Sequence, residues 1–163
     1  MAAITGVSPL DSGVQATFDL VRQSLPAVES PEAVLASHQT AVAQLAIEYC
    51  NALVESTTLR TNVWGAGFDF TADVVTAFPG PGQNPDPLYD PLLDRLLGAI
   101  ATPIDTQPDR ADVKFELDQL VYGIALDASR PGLAFGGGDQ VRTRTIAKSV
   151  CSAVVGSAAM LLQ

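Results

Sequence analysis

The C-terminal part of the chain contains a stretch that leaves little choice of fold. Between Ile146 and Leu162 the one charged residue is Lys148, and the one glycine is Gly156. A helix that is apolar on all sides belongs in the centre of a bundle or in a membrane. This stretch is short and rich in alanine and serine, which disfavours a membrane span. We therefore expect it to form a central, apolar C-terminal helix.

The composition is typical of a protein that folds around a sizeable core. Of the 163 residues, 47% are hydrophobic and 17% are charged, so most of the chain can be buried. One domain, residues 1–163, is the default for this length. The 18 acidic and 9 basic residues give a net charge of −9, which repels phosphate backbones and anionic lipid surfaces. We therefore expect no nucleic acid partner.

Apolar residues recur at three- and four-residue steps in the N-terminal third, which predicts two amphipathic helices. Ser30 is expected to cap the second helix and Pro31 to open it, because serine accepts hydrogen bonds from free amides and proline needs none. The predicted inward-facing residues are Leu10, Val14, Phe18, Val21 and Leu25 in the first helix, and Val34, His38, Ala41, Val42, Leu45, Tyr49 and Leu53 in the second.

The middle of the chain is more irregular. Residues 56–70 lose the helical period and predict an ordered loop whose aromatic side chains plug the edge of the core. A short helix is expected at residues 71–78, with Thr71 as its cap and Phe70 stapled against Val75. Residues 79–87 are rich in proline and glycine and predict a long surface loop, because proline lacks the amide donor that regular structure needs.

Two aspartate–proline signals predict the next helices. Asp90 with Pro91 opens one, and Pro108 with Asp109 opens another that stops before Arg130. In the latter helix Val113, Leu117, Leu120, Val121 and Ile124 are predicted to face inward, and Lys114, Glu116 and Asp118 largely outward. Asp139 is the expected cap of the C-terminal helix. The predicted fold is thus all-α, a compact bundle of five to six helices with a long Pro/Gly-rich loop in the middle.

The two cysteines, Cys50 and Cys151, lie in apolar helical patterns a hundred residues apart, without the spacing of a redox or haem motif. They are either two buried thiols or one disulfide bridge. Closing so long a loop stabilises a fold by about 4–5 kcal/mol in the chain-entropy account.

Candidate catalytic and metal-binding patterns are weak. His38 is the one histidine, no GxSxG motif accompanies it, and a structural role on the apolar face is favoured over a catalytic or pH-sensing one. Asp86, Asp90 and Asp94 are spaced by four and offer oxygen ligands for Ca²⁺, but capping and turn formation explain them as well. We expect no catalytic residue, no metal and no cofactor.

Two segments are candidates for binding. The aromatic residues Trp64, Phe68 and Phe70 form a candidate platform for a small ligand or glycan. Small residues spaced by four on the last helix, Ser152 and Gly156, allow close approach of another backbone. Packing within the domain is the simpler interpretation; the alternative is that the end of this helix contacts another subunit or domain through Ser152, Gly156, Met160, Leu161 and Leu162.

Residues 37–50, SHQTAVAQLAIEYC, and residues 146–160, IAKSVCSAVVGSAAM, resemble a cysteine-containing helical region of large exported bacterial surface proteins that also carry laminin-G-like modules. The resemblance covers most of the chain, from Ile4 onward. It implies an exported setting and paired cysteines. The laminin-G-like sandwich itself is absent from this sequence, so its carbohydrate binding does not carry over.

The leading expectation for function is a non-enzymatic structural or interaction domain of an exported bacterial surface protein, with another protein or, through self-assembly, another copy as partner. A ligand- or glycan-binding domain comes second, and a hydrolase of unrecognised type third. The N-terminal residues Met1 to Ile4 show neither the basic region nor the apolar region of a secretory signal peptide.

Overall fold

The structure, a computed structural model, describes residues 1–25, 31–80, 85–97, 109–124 and 129–161. Within these ranges the chain forms eight helices and, apart from a single bridge between Gly123 and Pro131, no β-structure. The predicted all-α fold class is confirmed, whereas the predicted number of five to six helices is not. The helices are α1 (Ala2–Thr5), α2 (Ser12–Ser24), α3 (Pro31–Glu55), α4 (Thr57–Trp64), α5 (Val74–Ala77), α6 (Asp86–Leu97), α7 (Arg110–Tyr122) and α8 (Gln140–Leu161).

The core is organised around α3 and α8, which lie side by side and antiparallel. Cys50 pairs with Cys151, and Ala46 faces Gly156, so residue numbers fall along α3 as they rise along α8. A Cβ atom added to Gly156 would lie 3.6 Å from the Ala46 Cβ atom, which is ordinary van der Waals contact. Small residues at this crossing let the two backbones approach closely.

The sulfur atoms of Cys50 and Cys151 lie at disulfide distance, and their Cα atoms are 5.7 Å apart. Both residues are fully buried. The pairing that the sequence left open and the resemblance implied is thus found in the structure. The apolar C-terminal helix is also central, as predicted, since its buried residues include Ile146, Ala147, Val150, Val154 and Val155.

Helix α2 packs mainly against α3 and buries a narrow stripe. Val14 and Val21 lie in the core, as predicted, but Phe18 is exposed, and Leu10 is exposed in the turn before the helix begins. A helix with one main neighbour covers a narrower stripe than a helix between two neighbours. The cap is Asp11, whose carboxylate accepts hydrogen bonds from the amides of Gly13 and Val14.

The prediction of a loop from residue 56 was wrong, because residues 57–64 form α4. Ser56 caps this helix by accepting a hydrogen bond from the Leu59 amide at 3.3 Å. Its threonines have low helix propensity, but Leu59, Val63 and Trp64 attach one side of α4 to the core. Tertiary packing therefore overrides local preference here.

The predicted helix at residues 71–78 exists but is shorter and differently capped. Asp73, not Thr71, is the cap, and its carboxylate accepts from the Thr76 amide at 2.8 Å. The predicted staple between Phe70 and Val75 is wrong, since Val75 is exposed and Phe70 packs edge-on against Trp64.

Helix α6 begins at Asp86, four residues before the predicted start. Pro87 lies in the first turn, where no amide donor is needed, and Pro91 lies inside the helix. An internal proline costs one hydrogen bond. The helix continues because both sides of Pro91 are anchored by fully buried side chains, namely Leu88, Tyr89, Leu92 and Leu93.

Helix α7 begins where the sequence predicted, with the Asp109 carboxylate accepting a hydrogen bond from the Ala111 amide at 2.7 Å. Leu117 and Val121 are buried as predicted, but Ile124 is exposed. Lys114 and Asp118 do not face outward; both are half-buried on the side of α7 that meets α6. The predicted end of the helix before Arg130 is correct.

The turn between α7 and α8 depends on Gly132. A Cβ atom at this position would collide with backbone atoms of Val121, Tyr122 and Gly123, so the turn requires glycine. The predicted cap of α8 is correct, because the Asp139 carboxylate accepts hydrogen bonds from the amides of Val141 and Arg142.

Replacing both cysteines with alanine (C50A/C151A) is expected to lower the free energy of unfolding by about 2–5 kcal/mol, since the bridge closes a long loop and the sulfur atoms fill the core. Urea denaturation followed by circular dichroism measures the loss. As a control, mass spectrometry of the folded wild-type protein should show no alkylation, and two additions should appear after reduction in urea. Rapid alkylation of both cysteines in the folded protein would contradict the pairing.

Candidate interaction surface

A groove runs along the outer side of the pair formed by α3 and α8. Its volume is about 570 Å³. The antiparallel crossing creates it, because small side chains on α8 lie opposite larger apolar side chains on α3. The residues that line it are Gln39, Val42, Ala43 and Ile47 from α3, and Ser152, Ala153, Gly156 and Ser157 from α8.

The groove is uncharged and mainly apolar. None of its lining residues carries a formal charge, and the Ile47 side chain is 57% exposed. Exposed isoleucine is unfavourable in water, and covering it stabilises an assembly by about 25 cal/mol per Å². The groove therefore offers apolar contact area.

The two serines in the groove add little polarity. The Ser152 hydroxyl donates to the Lys148 carbonyl oxygen at 2.7 Å, and the Ser157 hydroxyl donates to the Val154 carbonyl oxygen at 2.8 Å. Their hydroxyl protons are thus used within α8. These side chains therefore contribute mainly carbon atoms, and hydroxyl oxygens that are already hydrogen-bonded, to the surface of the groove.

Two links join the helices that form the walls of the groove. The Cys50–Cys151 pair lies behind it, and Lys148 on α8 forms an ion pair with Glu55 on α3 at 2.6 Å. The hydrogen bond from Lys148 is the main reason that the pKa of Glu55 lies below its usual value. Both links connect α8 to α3 in the chain on its own.

The structure brings part of the predicted interaction site together. Ser152 and Gly156 line the groove, although Gly156 also faces Ala46 across the helix pair. Leu162 lies outside the described residues, as do the side chains of Met160 and Leu161. The sequence analysis missed the contribution of α3. Ile47 could have indicated this part of the groove, because it is a large apolar residue that does not belong to the predicted inward-facing set.

The aromatic residues proposed as a ligand platform form a cluster at the core edge. Trp64 and Phe70 are buried, and only Phe68 is partly exposed. The ring centroid of Phe70 lies 5.0 Å from that of Trp64 and 4.9 Å from that of Phe68, and both contacts are edge-on. The Trp64 indole nitrogen donates to the Leu88 carbonyl oxygen at 3.0 Å. The cluster therefore fixes α4 against α6, and its role in ligand binding stays a prediction.

The aspartates considered for calcium binding are engaged by cations of α7. Arg110 contacts the carboxylates of Asp90 at 2.6 Å and Asp94 at 2.7 Å, and Lys114 contacts those of Asp86 and Asp90 at 2.8 Å. Partial burial would raise the pKa of Asp90, but the hydrogen bonds from Lys114 and Arg110 outweigh it and lower that pKa. The described residues contain no cluster of three or more metal-type ligands.

Arg142, which follows the glycine-rich turn before α8, is bonded to backbone oxygen atoms of the chain. The Arg142 guanidinium donates to the carbonyl oxygens of Leu133 at 3.1 Å and Phe135 at 3.0 Å. The Asp139 carboxylate already accepts from the first amides of α8. The anion that this helix end favours is thus supplied by the chain itself.

His38 lies half-buried on α3, and its structural or catalytic role stays a prediction. Among the helices that the structure describes, none combines the length and hydropathy needed to cross a membrane. Comparisons with protein-family models, with curated proteins and with solved structures found no significant match.

Arg110 forms ion pairs with Asp90 and Asp94. The substitution Arg110→Ala is expected to lower the free energy of unfolding by about 1 kcal/mol at neutral pH, because the side chains in both pairs are more than one-third exposed. Asp90 has a lowered pKa in the folded state, so its contribution is present above the usual aspartate pKa and is lost as the pH falls below it. Urea denaturation at several pH values should show the wild type and variant converging in acid. A difference that persists when the aspartates are protonated would contradict the assignment.

Proposed function

We propose that this chain is a non-enzymatic structural or interaction domain of an exported bacterial surface protein, and that it self-associates through the groove between α3 and α8. The observation that supports this is the apolar groove beside the paired cysteines. Its lining residues supply contact area but no acid, base or free nucleophile.

Preorganisation favours association at this surface. Binding normally loses free energy to the ordering of mobile groups, and a groove whose walls are already fixed avoids much of that loss. The Cys50–Cys151 pair and the Lys148–Glu55 ion pair provide this fixing. Ile47, with Val42 beside it in the lining, provides a candidate apolar anchor.

A second copy is the proposed occupant because the groove is uncharged. The net charge of −9 makes two copies repel one another at most orientations. Contact through an uncharged face brings few like charges into direct opposition. Contact through the aspartate-rich side of α6 would place the carboxylates of one copy against those of the other. A protein partner of another kind is the alternative outcome of the test below.

The exported setting is supported by the buried cysteine pair. Disulfides persist in oxidising compartments and are rare in the reducing cytosol. The resemblance of residues 37–50 and 146–160 to a region of exported bacterial surface proteins agrees with this location.

The substitution Ile47→Glu is expected to weaken self-association at least about tenfold, because it places a charge on the apolar groove. Size-exclusion chromatography with light scattering, over a range of concentrations, measures the oligomeric state. Leu20→Glu is the matched control, since Leu20 is an exposed apolar residue on α2, outside the groove. It should associate like the wild type.

Two results would contradict this proposal. If the wild type stays monomeric at every concentration, a second copy is not the partner. If Ile47→Glu associates as well as Leu20→Glu does, the interface lies elsewhere on the protein.

A further inference from the structure

A cluster of buried oxygen atoms lies where side chains of α7 meet those of α6, and it shares no residue with the groove. Asp118 is half-buried, its Oδ1 atom is shielded from water, and no described residue forms a hydrogen bond with that atom. The hydroxyl of Tyr122, one turn farther along α7, is likewise buried and unbonded among the described residues. Tyr89 on α6 is almost fully buried, and its hydroxyl donates to the Leu117 carbonyl oxygen at 3.3 Å.

This cluster has fewer donor hydrogens than it has acceptors. The Tyr89 hydroxyl lies beside both the Leu117 carbonyl oxygen and the Asp118 carboxyl group. A phenol has one hydrogen to donate, and an ionised carboxylate has none. Tyr89 therefore satisfies one acceptor at a time. The Tyr122 hydroxyl carries a second hydrogen but bonds to none of the described residues, so a proton on Asp118 would give the carboxyl group a donor hydrogen of its own.

The charges around the cluster also favour a neutral Asp118. Burial is the main cause that raises the pKa of Asp118, and the negative charge of Asp86 adds to it. The hydrogen bond from Tyr89 and the charge of Lys114 act in the opposite direction but do not outweigh them. Lys114 is shared with Asp86 and Asp90, both at 2.8 Å.

The two phenols stay protonated alongside Asp118. Burial is the main cause that raises the pKa of Tyr89 and of Tyr122, and the charge of Asp118 contributes to both. Neither phenol therefore competes with Asp118 as the group that titrates.

Helix α8 also packs against α7, but its cations act elsewhere. Arg144 and Lys148 lower the pKa of Glu55 on α3, and Arg142 is bonded to the carbonyl oxygens of Leu133 and Phe135. Asp139 caps the start of α8. The charged groups that act on Asp118 are thus Asp86 and Lys114.

We propose that Asp118, Tyr89 and Tyr122 form a proton-operated latch between α6 and α7, which tightens when Asp118 takes up a proton and loosens when Asp118 is ionised. The latch is independent of the groove and of self-association. The latch makes the strength of the contact between α7 and α6 depend on the pH of the surroundings.

The sign of the effect distinguishes Asp118 from the other carboxylates. Asp90 and Glu55 have lowered pKa values, so their contribution to stability is lost as the pH falls. Asp118 has a raised pKa, so the folded protein takes up its proton first and gains stability as the pH falls towards the unfolded-state value of about 3.9. The window for the latch therefore lies above about pH 4.

The test compares wild type with Asp118→Asn, which keeps the shape but carries no charge at any pH. Urea unfolding midpoints and amide hydrogen exchange in α7 are measured at about pH 8 and about pH 5. At the higher pH the variant should have a midpoint above that of the wild type and slower α7 exchange. Both differences should shrink at the lower pH. The exposed Asp112→Asn on the same helix is the control and should follow the wild type.

A carbon-13 NMR titration of the Asp118 carboxyl group in the wild type provides a readout that does not depend on the variant's folding. A midpoint above the usual aspartate value supports the latch, and a usual or lowered midpoint overturns it. Parallel pH profiles for wild type and Asp118→Asn would overturn it as well.

Discussion

The antiparallel contact between α3 and α8 is the interaction on which the rest of the structure depends. Small residues such as Ala46 and Gly156 bring the two helices close together, and the buried Cys50–Cys151 pair holds them there. Helix α2 covers α3, while α5, α6 and α7 contact α8. The apolar face that remains on the outer side of the pair is the groove. The same contact therefore creates both the core and the proposed interaction surface.

The elements that the sequence predicted well are those whose signals are local and whose packing agrees with them. Asp109 and Asp139 cap helices as expected, because an aspartate before a helical pattern satisfies free amides wherever it occurs. The apolar stretch around Cys151 was expected to be central, since Lys148 is its one charged residue. Pairing of the two cysteines followed from the resemblance, and not from spacing alone.

The predictions that failed depended on contacts between distant residues. Helix α4 has little local preference for a helix, but Trp64 bonds to the carbonyl oxygen of Leu88 and holds it in place. Helix α6 extends through Pro91 because Tyr89 and its neighbours are buried. Asp118 was predicted to face outward, and nothing in the sequence of α7 reveals that Tyr89 lies beside it. Half of the groove, on α3, escaped prediction for the same reason.

The position of the cysteine pair along the chain also determines which parts of the molecule are covalently tied. The residues from Cys50 to Cys151, separated by 101 positions, form a closed ring that includes α4, α5, α6 and α7. A protease that cuts once inside this ring leaves both fragments joined, so the nicked chain keeps its mass without a reductant. A cut before Cys50 separates the N-terminal segment, with α1 and α2, from the rest of the covalent chain. After such a cut only non-covalent packing holds this segment in place. A single backbone cut between Cys50 and Cys151 therefore leaves the chain in one covalent piece, whereas a cut before Cys50 does not.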